Sequence, residues 1–244
     1  MKVIGIIPAY NEKNIEKIAG KSAGLVDKLL VIDDGSDFPV KKSGKYLVLR
    51  NNQNKGKGYS LKCGFEYALK NGYDVVITLD GDGEHDPEAI PLLLKKLESS
   101  DIAIGQRANY RSLQRNMLNK WASFWLRLLL PSVKDTQCGF VALRTDLLKK
   151  LEITSSGFSI NLELLLEAFK NNAKFGFIEL KTTQKKATHV TLMDYVKINN
   201  LFDRWVIKNY RDIKMPILKK YFILNAVIAG LICGRLMEWI LEMH

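Results

Sequence analysis

Apolar residues along this chain come in short, nearly continuous runs that alternate with longer stretches of helical spacing. Val3–Ile7, Lys28–Ile32, Tyr46–Leu49, Val75–Leu79 and Ile102–Ile104 are short, aliphatic and bounded by polar turn residues, so each predicts a buried strand. Glu12–Ala23, Gly58–Asn71 and Pro87–Ser99 predict helices. In the second of these, Leu61, Phe65, Ala68 and Leu69 fall on one face, as a core-facing stripe requires. Asp86 directly before Pro87 is an N-cap followed by a proline at the first helical position. This alternation predicts an α/β fold with a Rossmann-like, mostly parallel sheet flanked by helices and joined by right-handed crossovers.

The second half is less regular. Residues 112–130 place Leu113, Met117, Trp121, Phe124, Trp125 and Leu128 on one side of a predicted helix, with Arg115, Lys120 and Arg127 elsewhere. That stripe reads as core or as a surface turned to an acceptor or a membrane. Asn161–Asn171 and Met193–Tyr210 predict further helices, separated by a strand near Lys174–Leu180.

The end of the chain changes character. Lys208, Arg211, Lys214, Lys219 and Lys220 precede an uncharged run from Tyr221 to Gly234, followed by Arg235, Glu238 and Trp239. Those 14 uncharged residues are too few for a standard membrane span. Reaching Leu241 gives the length only with Arg235 and Glu238 inside, spaced so that they can pair. An apolar helix behind a basic collar suits attachment at a membrane surface. The other reading is a helix packed on the domain, or on a second copy in a homodimer. The expected division is an α/β domain over 1–212 and a membrane-associating helix over 213–244.

Composition narrows the choices. At 244 residues, 47% hydrophobic and 26% charged, the chain is a folded globular protein with one sizeable core. Its net charge of +11 favours polyanionic partners: nucleic acid, phosphorylated ligands or an anionic bilayer. The lysines are spread along the chain and no nucleic-acid motif is present, so nucleic acid ranks last. Cys63, Cys138 and Cys233 form neither a disulfide framework nor a zinc pattern, which fits a reducing compartment. The N-terminal residues run straight into the first strand, with no apolar core of a signal peptide.

Four loops carry the polar chemistry. Pro8-Ala9-Tyr10-Asn11-Glu12 follows the first strand and Asp33-Asp34-Gly35-Ser36 the second. Asn54-Lys55-Gly56-Lys57-Gly58 precedes a helix, and Asp80-Gly81-Asp82 follows the fourth strand, with Glu84 and Asp86 close behind. Parallel sheets bind ligands beyond the carboxyl ends of their strands, where these loops converge. Asp80 and Asp82, separated by Gly81, offer hard oxygen ligands for a divalent cation and leave room for a diphosphate. Alone, such a pair also suits a turn or a helix cap. Lys55 and Lys57 at a helix N-terminus favour phosphates. The first two loops can hold a nucleoside, through a carboxylate and the flat surfaces of Pro8 and Tyr10. A Walker loop and a GxGxxG after the first strand are both missing, which disfavours a generic NTPase and a dinucleotide oxidoreductase. A nucleoside diphosphate held through metal remains.

Pro8–Glu12, Asp33–Ser36, Asn54–Gly58, Asp80–Glu88, Gly105–Arg107 and Asp135–Phe140 occur in the order found in family-2, GT-A-fold glycosyltransferases, over roughly residues 1–192. More narrowly, the set resembles the polyprenyl-phosphate (dolichyl-phosphate) mannose and glucose synthases. The resemblance implies inverting transfer of one sugar from a UDP- or GDP-sugar to a polyprenyl phosphate, at the cytoplasmic face of the cell membrane. It implies that Asp80 and Asp82 hold Mg²⁺ or Mn²⁺, with Glu84 as a further metal-side ligand where relatives carry glutamine. Pro8, Tyr10, Glu12 and Asp34 match nucleoside-binding loops. Arg107 matches an arginine near the phosphates, Arg115 a second one that meets the acceptor, and Asp135 an aspartate close to the reacting centre. The family's Arg-x-x-Gly-x-Ser-Lys segment is replaced here by Gln184–Thr191, with Lys185 or Lys186 in the arginine's place. A phosphate acceptor needs no strong base, because a phosphomonoester with a second pKa of about 6 is mostly dianionic at neutral pH. A hydroxyl acceptor on a glycan or glycolipid would need one, and Asp135 is its first candidate. A catalytically silent nucleotide-sugar-binding protein is the third reading.

Overall fold

The computed structural model describes residues 1–107, 126–127, 129–180 and 192–209. The chain divides into two compact units, Met1–Phe202 and Asp203–His244, and in the second the described residues are 203–209. Arg115, most of the predicted helix over 112–130, Lys185, Lys186 and the segment from 210 onward lie outside the described residues. No helix among the described residues is long and apolar enough to cross a membrane.

The first unit is built on a seven-stranded sheet: β1 (Val3–Ala9), β2 (Lys28–Asp33), β3 (Leu47–Arg50), β4 (Val75–Thr78), β5 (Ile102–Arg107), β6 (Val141–Arg144) and β7 (Phe175–Leu180), in spatial order β3-β2-β1-β4-β6-β5-β7. The described helices are α1 (Ile15–Ser22), α2 (Lys57–Lys70), α3 (Ile90–Leu97), α4 (Thr145–Leu148), α5 (Ile160–Lys170) and α6 (Leu192–Asn209). β1 pairs in parallel with both β2 and β4, and β5 pairs in parallel with β7. Ile4, Ile6, Ile7, Leu30 and Ile32 are fully buried, and every residue of β4 is buried. Burial on both faces is what the continuous aliphatic runs require. The α2 stripe faces this core, with Leu61, Phe65 and Ala68 buried and Leu69 half-buried. The Asp86 carboxylate accepts from the Glu88 N–H at 3.2 Å, and Pro87 opens a short 3₁₀ turn, Pro87–Ala89, ahead of α3.

Two features were not legible in the pattern. β5 continues three residues past Ile104, so Gln106 and Arg107 belong to the strand itself. β6 is antiparallel, lying between β4 and β5 with Val141 opposite both Thr78 and Ile104. Four residues of Val-Ala-Leu-Arg carry too little periodicity to stand out as a strand. Its reversed direction has a consequence for the site. The segment that enters β6, Asp135–Phe140, lies at the same sheet edge where β1, β2 and β4 end.

Candidate active site

The first two loops are stapled together. Asn11 adopts a left-handed backbone (φ 54°), its N–H donates to Ser36 Oγ at 3.0 Å, and its side chain exchanges hydrogen bonds with Asp37. The Asn11 amide donates to Asp37 Oδ2 at 3.0 Å, and the Asp37 N–H donates to Asn11 Oδ1 at 2.9 Å. Tyr10, beside this staple, is 46% exposed, and Pro8 and Glu12 are half-buried.

Asp33 and Asp34 divide the labour of the second loop. Asp33 is fully buried and accepts from the Ser36 and Val40 N–H groups, at 2.9 and 3.1 Å, and from the Arg50 guanidinium. Burial works to raise its carboxyl, but these donors outweigh that and hold its pKa below the ordinary value. Asp34 turns toward the lysine-glycine loop. It accepts from the Lys55 N–H at 3.1 Å, the Gly56 N–H at 2.8 Å and the Asn51 amide at 2.7 Å. Asp34, which matches a nucleoside-binding loop in sequence, here holds the backbone of the neighbouring lysine-glycine loop.

That loop ends at α2. Among the described residues, the N–H groups of Lys57 and Gly58 have no acceptor, as the first turn of a helix leaves them. Such a terminus favours anions. The Lys57 ammonium reaches across to Asp80 Oδ1 at 2.5 Å. Burial works to raise the Asp80 carboxyl, while Lys57, with His85 and Arg107, more than offsets this and holds it ionised. Gly81 is buried against β1: a Cβ there would lie 3.2 Å from the Pro8 carbonyl oxygen. Asp82 is half-buried, and its Oδ1 accepts from the Glu84 N–H at 2.8 Å.

The third wall comes from β5 and the segment entering β6. Arg107 and Asp135 face each other with side chains 3% and 0% exposed. Arg107 donates from Nε to Asp135 Oδ2 at 2.6 Å and from Nη2 to Oδ1 at 3.1 Å, a bidentate fork. Its Nη1 donates to Glu84 Oε2 at 2.9 Å. Arg107, expected beside the phosphates, is thus turned inward and ties Glu84 to Asp135. Gln106 braces the same segment, donating to the Ser132 carbonyl at 3.0 Å and accepting from the Lys134 N–H at 2.9 Å. Asn161 on α5 donates to the Gln137 carbonyl at 2.9 Å.

Sequence reasoning passed over two residues at the centre. A Cβ at Gly139 would overlap the Asp80 carboxylate, so this glycine lets the segment close onto the first aspartate. Gly139 lies directly before Phe140 in an already prominent motif, but nothing in the pattern marks what it touches. His85 is 1% exposed, with Nε2 3.4 Å from Cys138 Sγ and, among the described residues, no hydrogen-bond partner for Nδ1. Burial pushes its pKa down; Asp80 opposes this and Arg107 reinforces it. Burial likewise pushes the Cys138 thiol up, so it stays protonated at neutral pH. The signal that could have found His85 is its place two residues after Gly83 in the acidic motif.

Among the described residues, no three acidic, histidine or cysteine side chains gather as a preassembled metal site. Of the three expected ligands, Asp80 has Lys57 as its cationic partner and Glu84 has Arg107. Two carboxylates on one turn, one of them held ionised, nonetheless fit a hard divalent cation whose shell substrate phosphates complete. Asp80 and Asp82 are the residues that would hold it.

The motif model for glycosyl transferase family 2 matches residues 6–151. The chain belongs to glycosyl transferase family 2. It is 33% identical over 189 residues to the dolichol-phosphate mannosyltransferase of Pyrococcus furiosus, covering 68% of this chain and 53% of that protein, about half its length. It is 29% identical over 205 residues to the polyprenol monophosphomannose synthase of Mycolicibacterium smegmatis, covering 75% of this chain and 77% of that one. The fold matches glucosyl-3-phosphoglycerate synthase of Mycobacterium tuberculosis crystallised with Mn²⁺, UDP and phosphoglyceric acid. The TM-score is 0.66 at 20% identity, covering 84% of this chain and 78% of that one. This family-2 glycosyltransferase therefore has the GT-A arrangement expected from its motifs, with the acidic turn after β4 and the Asp135–Phe140 segment at one sheet edge.

Proposed function

We propose that the protein transfers one sugar, with inversion, from a UDP- or GDP-sugar to a polyprenyl phosphate at the cytoplasmic face of a membrane, assisted by Mg²⁺ or Mn²⁺. The relatives named for polyprenol and dolichol phosphate support the acceptor class. The observation that carries the choice of a phosphate over a hydroxyl is the Asp135–Arg107 fork. Asp135 is the carboxylate a hydroxyl acceptor would need as a base, and both of its oxygens are engaged by Arg107, with Oδ1 also accepting from the Gln137 N–H at 3.0 Å. Proton abstraction would have to break a buried, charge-assisted pair.

A dianionic phosphate needs no such step. Its oxygen attacks the anomeric carbon from the face opposite the diphosphate, the new C–O bond forms, and the old C–O bond leaves with its electron pair on the diphosphate. Positioning and neutralisation of that leaving charge are the tasks left to the protein. Lys57 and the N–H groups opening α2 supply positive potential there. Asp135 and Glu84 fix Arg107, and the fork holds the acceptor side of the site in place. A divalent ion, when bound, supplies Lewis-acid stabilisation of the diphosphate. The tail beyond Lys208 brings the domain to an anionic surface, where the acceptor resides.

The test is transfer from radiolabelled UDP- and GDP-sugars to polyprenyl phosphate in detergent with Mn²⁺ or Mg²⁺. The expected product is an acid-labile lipid-linked sugar that disappears with EDTA and with Asp80→Ala. Turnover that survives both controls contradicts the metal-assisted reading, and the absence of a lipid product with every donor contradicts the acceptor.

A further inference from the structure

α2 begins without a side-chain cap. Its N-cap residue is Gly56, and Gly58 sits in the first turn. Part of the missing cap comes from far along the chain: the Ser156 carbonyl accepts from the Tyr59 N–H at 3.1 Å. Contact there is too close for any side chain. A Cβ on Gly58 would fall 2.5 Å from the Ser155 oxygen and 2.7 Å from the Ser156 carbonyl carbon, and one on Gly56 would overlap the Ser156 oxygen. Lys62 donates to the Thr154 carbonyl at 3.1 Å, and the Phe158 ring lies beneath the Lys57 ammonium, 5.9 Å from its centroid. Residues 154–158 are therefore the back wall of the loop that presents Lys57 to Asp80.

This wall has no regular structure of its own and is half-exposed to exposed, so something must hold it. Glu163, on α5, does so. It is 4% exposed, and its carboxylate accepts from the Thr154 N–H at 3.0 Å, Thr154 Oγ1 at 2.6 Å and the Ser155 N–H at 2.8 Å. Among the described residues it has no cationic partner. Burying a carboxylate without a counter-ion is costly unless its donors are fixed and charge-assisted. Two consecutive backbone N–H groups and one hydroxyl make a demand that only an acceptor with two charged oxygens meets. Two residues earlier on the same helix, Asn161 holds the Gln137 carbonyl, so the start of α5 braces both walls of the cleft.

We infer that Glu163 is a positioning residue for donor binding: it fixes residues 154–156, these fix the start of α2, and α2 fixes Lys57 against the diphosphate. This rests on the proposal that the cleft binds a nucleotide-sugar. Misplacement of a phosphate-binding group by about 1 Å costs on the order of a hundredfold in rate. The chain of contacts from Glu163 to Lys57 is short enough to transmit such a shift.

The experiment measures binding of UDP and of GDP, each with Mn²⁺, to the full-length chain by calorimetry, alongside the donor KM and kcat of transfer. Glu163→Ala is expected to weaken whichever nucleotide the wild type binds by about tenfold, comparable with the loss of one hydrogen bond to a charged group. Glu163→Gln is not expected to rescue it, because its amide would place a donor against a donor. Thr154→Val keeps the exposed loop's shape and removes one of the three bonds, so it decides the matter if Glu163→Ala fails to fold. Its expected signature is a raised donor KM with kcat, acceptor KM and thermal midpoint near wild type. Equal nucleotide affinity in Thr154→Val and wild type, or a fall confined to kcat, overturns the positioning role while leaving the donor reading intact. A wild type that binds neither nucleotide overturns the donor reading, and this inference with it.

Discussion

Lys57 donates to Asp80 across 2.5 Å, so a cation from the lysine-glycine loop already sits on the first carboxylate of the acidic motif. Both groups are largely withdrawn from solvent, with side chains 11% and 20% exposed, so water screens the contact poorly. If the site works as proposed, a divalent ion and Lys57 compete for Asp80 until a diphosphate takes the ammonium.

Replacing the lysine therefore has opposite effects on two ligands. Lys57→Met is expected to raise the Mn²⁺ affinity of the nucleotide-free protein by about tenfold, equivalent to ~1.4 kcal/mol. It is also expected to weaken UDP or GDP binding. Titration of Mn²⁺ followed by electron paramagnetic resonance reads the first, and calorimetry the second. Unchanged Mn²⁺ affinity would show that Lys57 does not guard the site.

The Arg107–Asp135 fork predicts a stability effect separable from catalysis. Asp135→Ala removes the acceptor of two Arg107 donors and leaves the guanidinium buried, and losing one partner of a buried pair costs about 3–5 kcal/mol. Urea unfolding should show that loss, with a smaller one for Asp135→Asn, which keeps the shape and one acceptor. A change under about 1 kcal/mol in the alanine variant would place the pair among surface ion pairs.

Gly139→Ala tests the closeness of the segment that enters β6. Its Cβ would come within 2.7 Å of Asp80 Cγ, so the carboxylate must move. Transfer activity should fall about a hundredfold, the scale of a misplaced reacting group, with little change in thermal midpoint. Wild-type turnover would mean that Asp80 needs no fixed position.

His85 sets a pH dependence. Burial depresses its pKa below the ordinary histidine value of about 6.5, so the unfolded chain binds the proton more readily. Its contribution to stability is therefore complete above about pH 6.5 and is lost as pH falls through the folded value. Urea midpoints between pH 8 and pH 5 should decline, and His85→Gln should flatten that part of the slope. An equal slope in both proteins would assign the decline to other groups.

The sheet was legible because each buried parallel strand had to be a short aliphatic run, and Val75–Thr78 and Lys28–Asp33 leave no other reading. The acidic turn was legible only beside the other three loops, because an aspartate pair after a strand by itself also suits a turn or a helix cap. β6 escaped because Val141–Arg144 is short and takes its place from partners far along the chain. The site's internal pairing escaped for a related reason. Residue types marked Asp34 and Asp80 as candidates and the family resemblance added Arg107 and Asp135, but the partner each one holds depends on loops brought together by the fold. Asp34 turning to Lys55 and Gly56, and Arg107 turning inward to Asp135, follow from that closure. Glu163 looked like an ordinary polar position on a helix. Its meaning lies in the backbone of Thr154 and Ser155, which no spacing reveals.

The most direct measurement compares two acceptors that differ in one group: a polyprenyl phosphate and the polyprenol of the same length, with one donor, over a range of pH. Transfer is expected to the phosphate alone, with a rate that rises as its second proton leaves near pH of about 6 and then levels off. Transfer to the polyprenol at a comparable rate would contradict this, because Asp135 or another carboxylate would then have to be acting as a base.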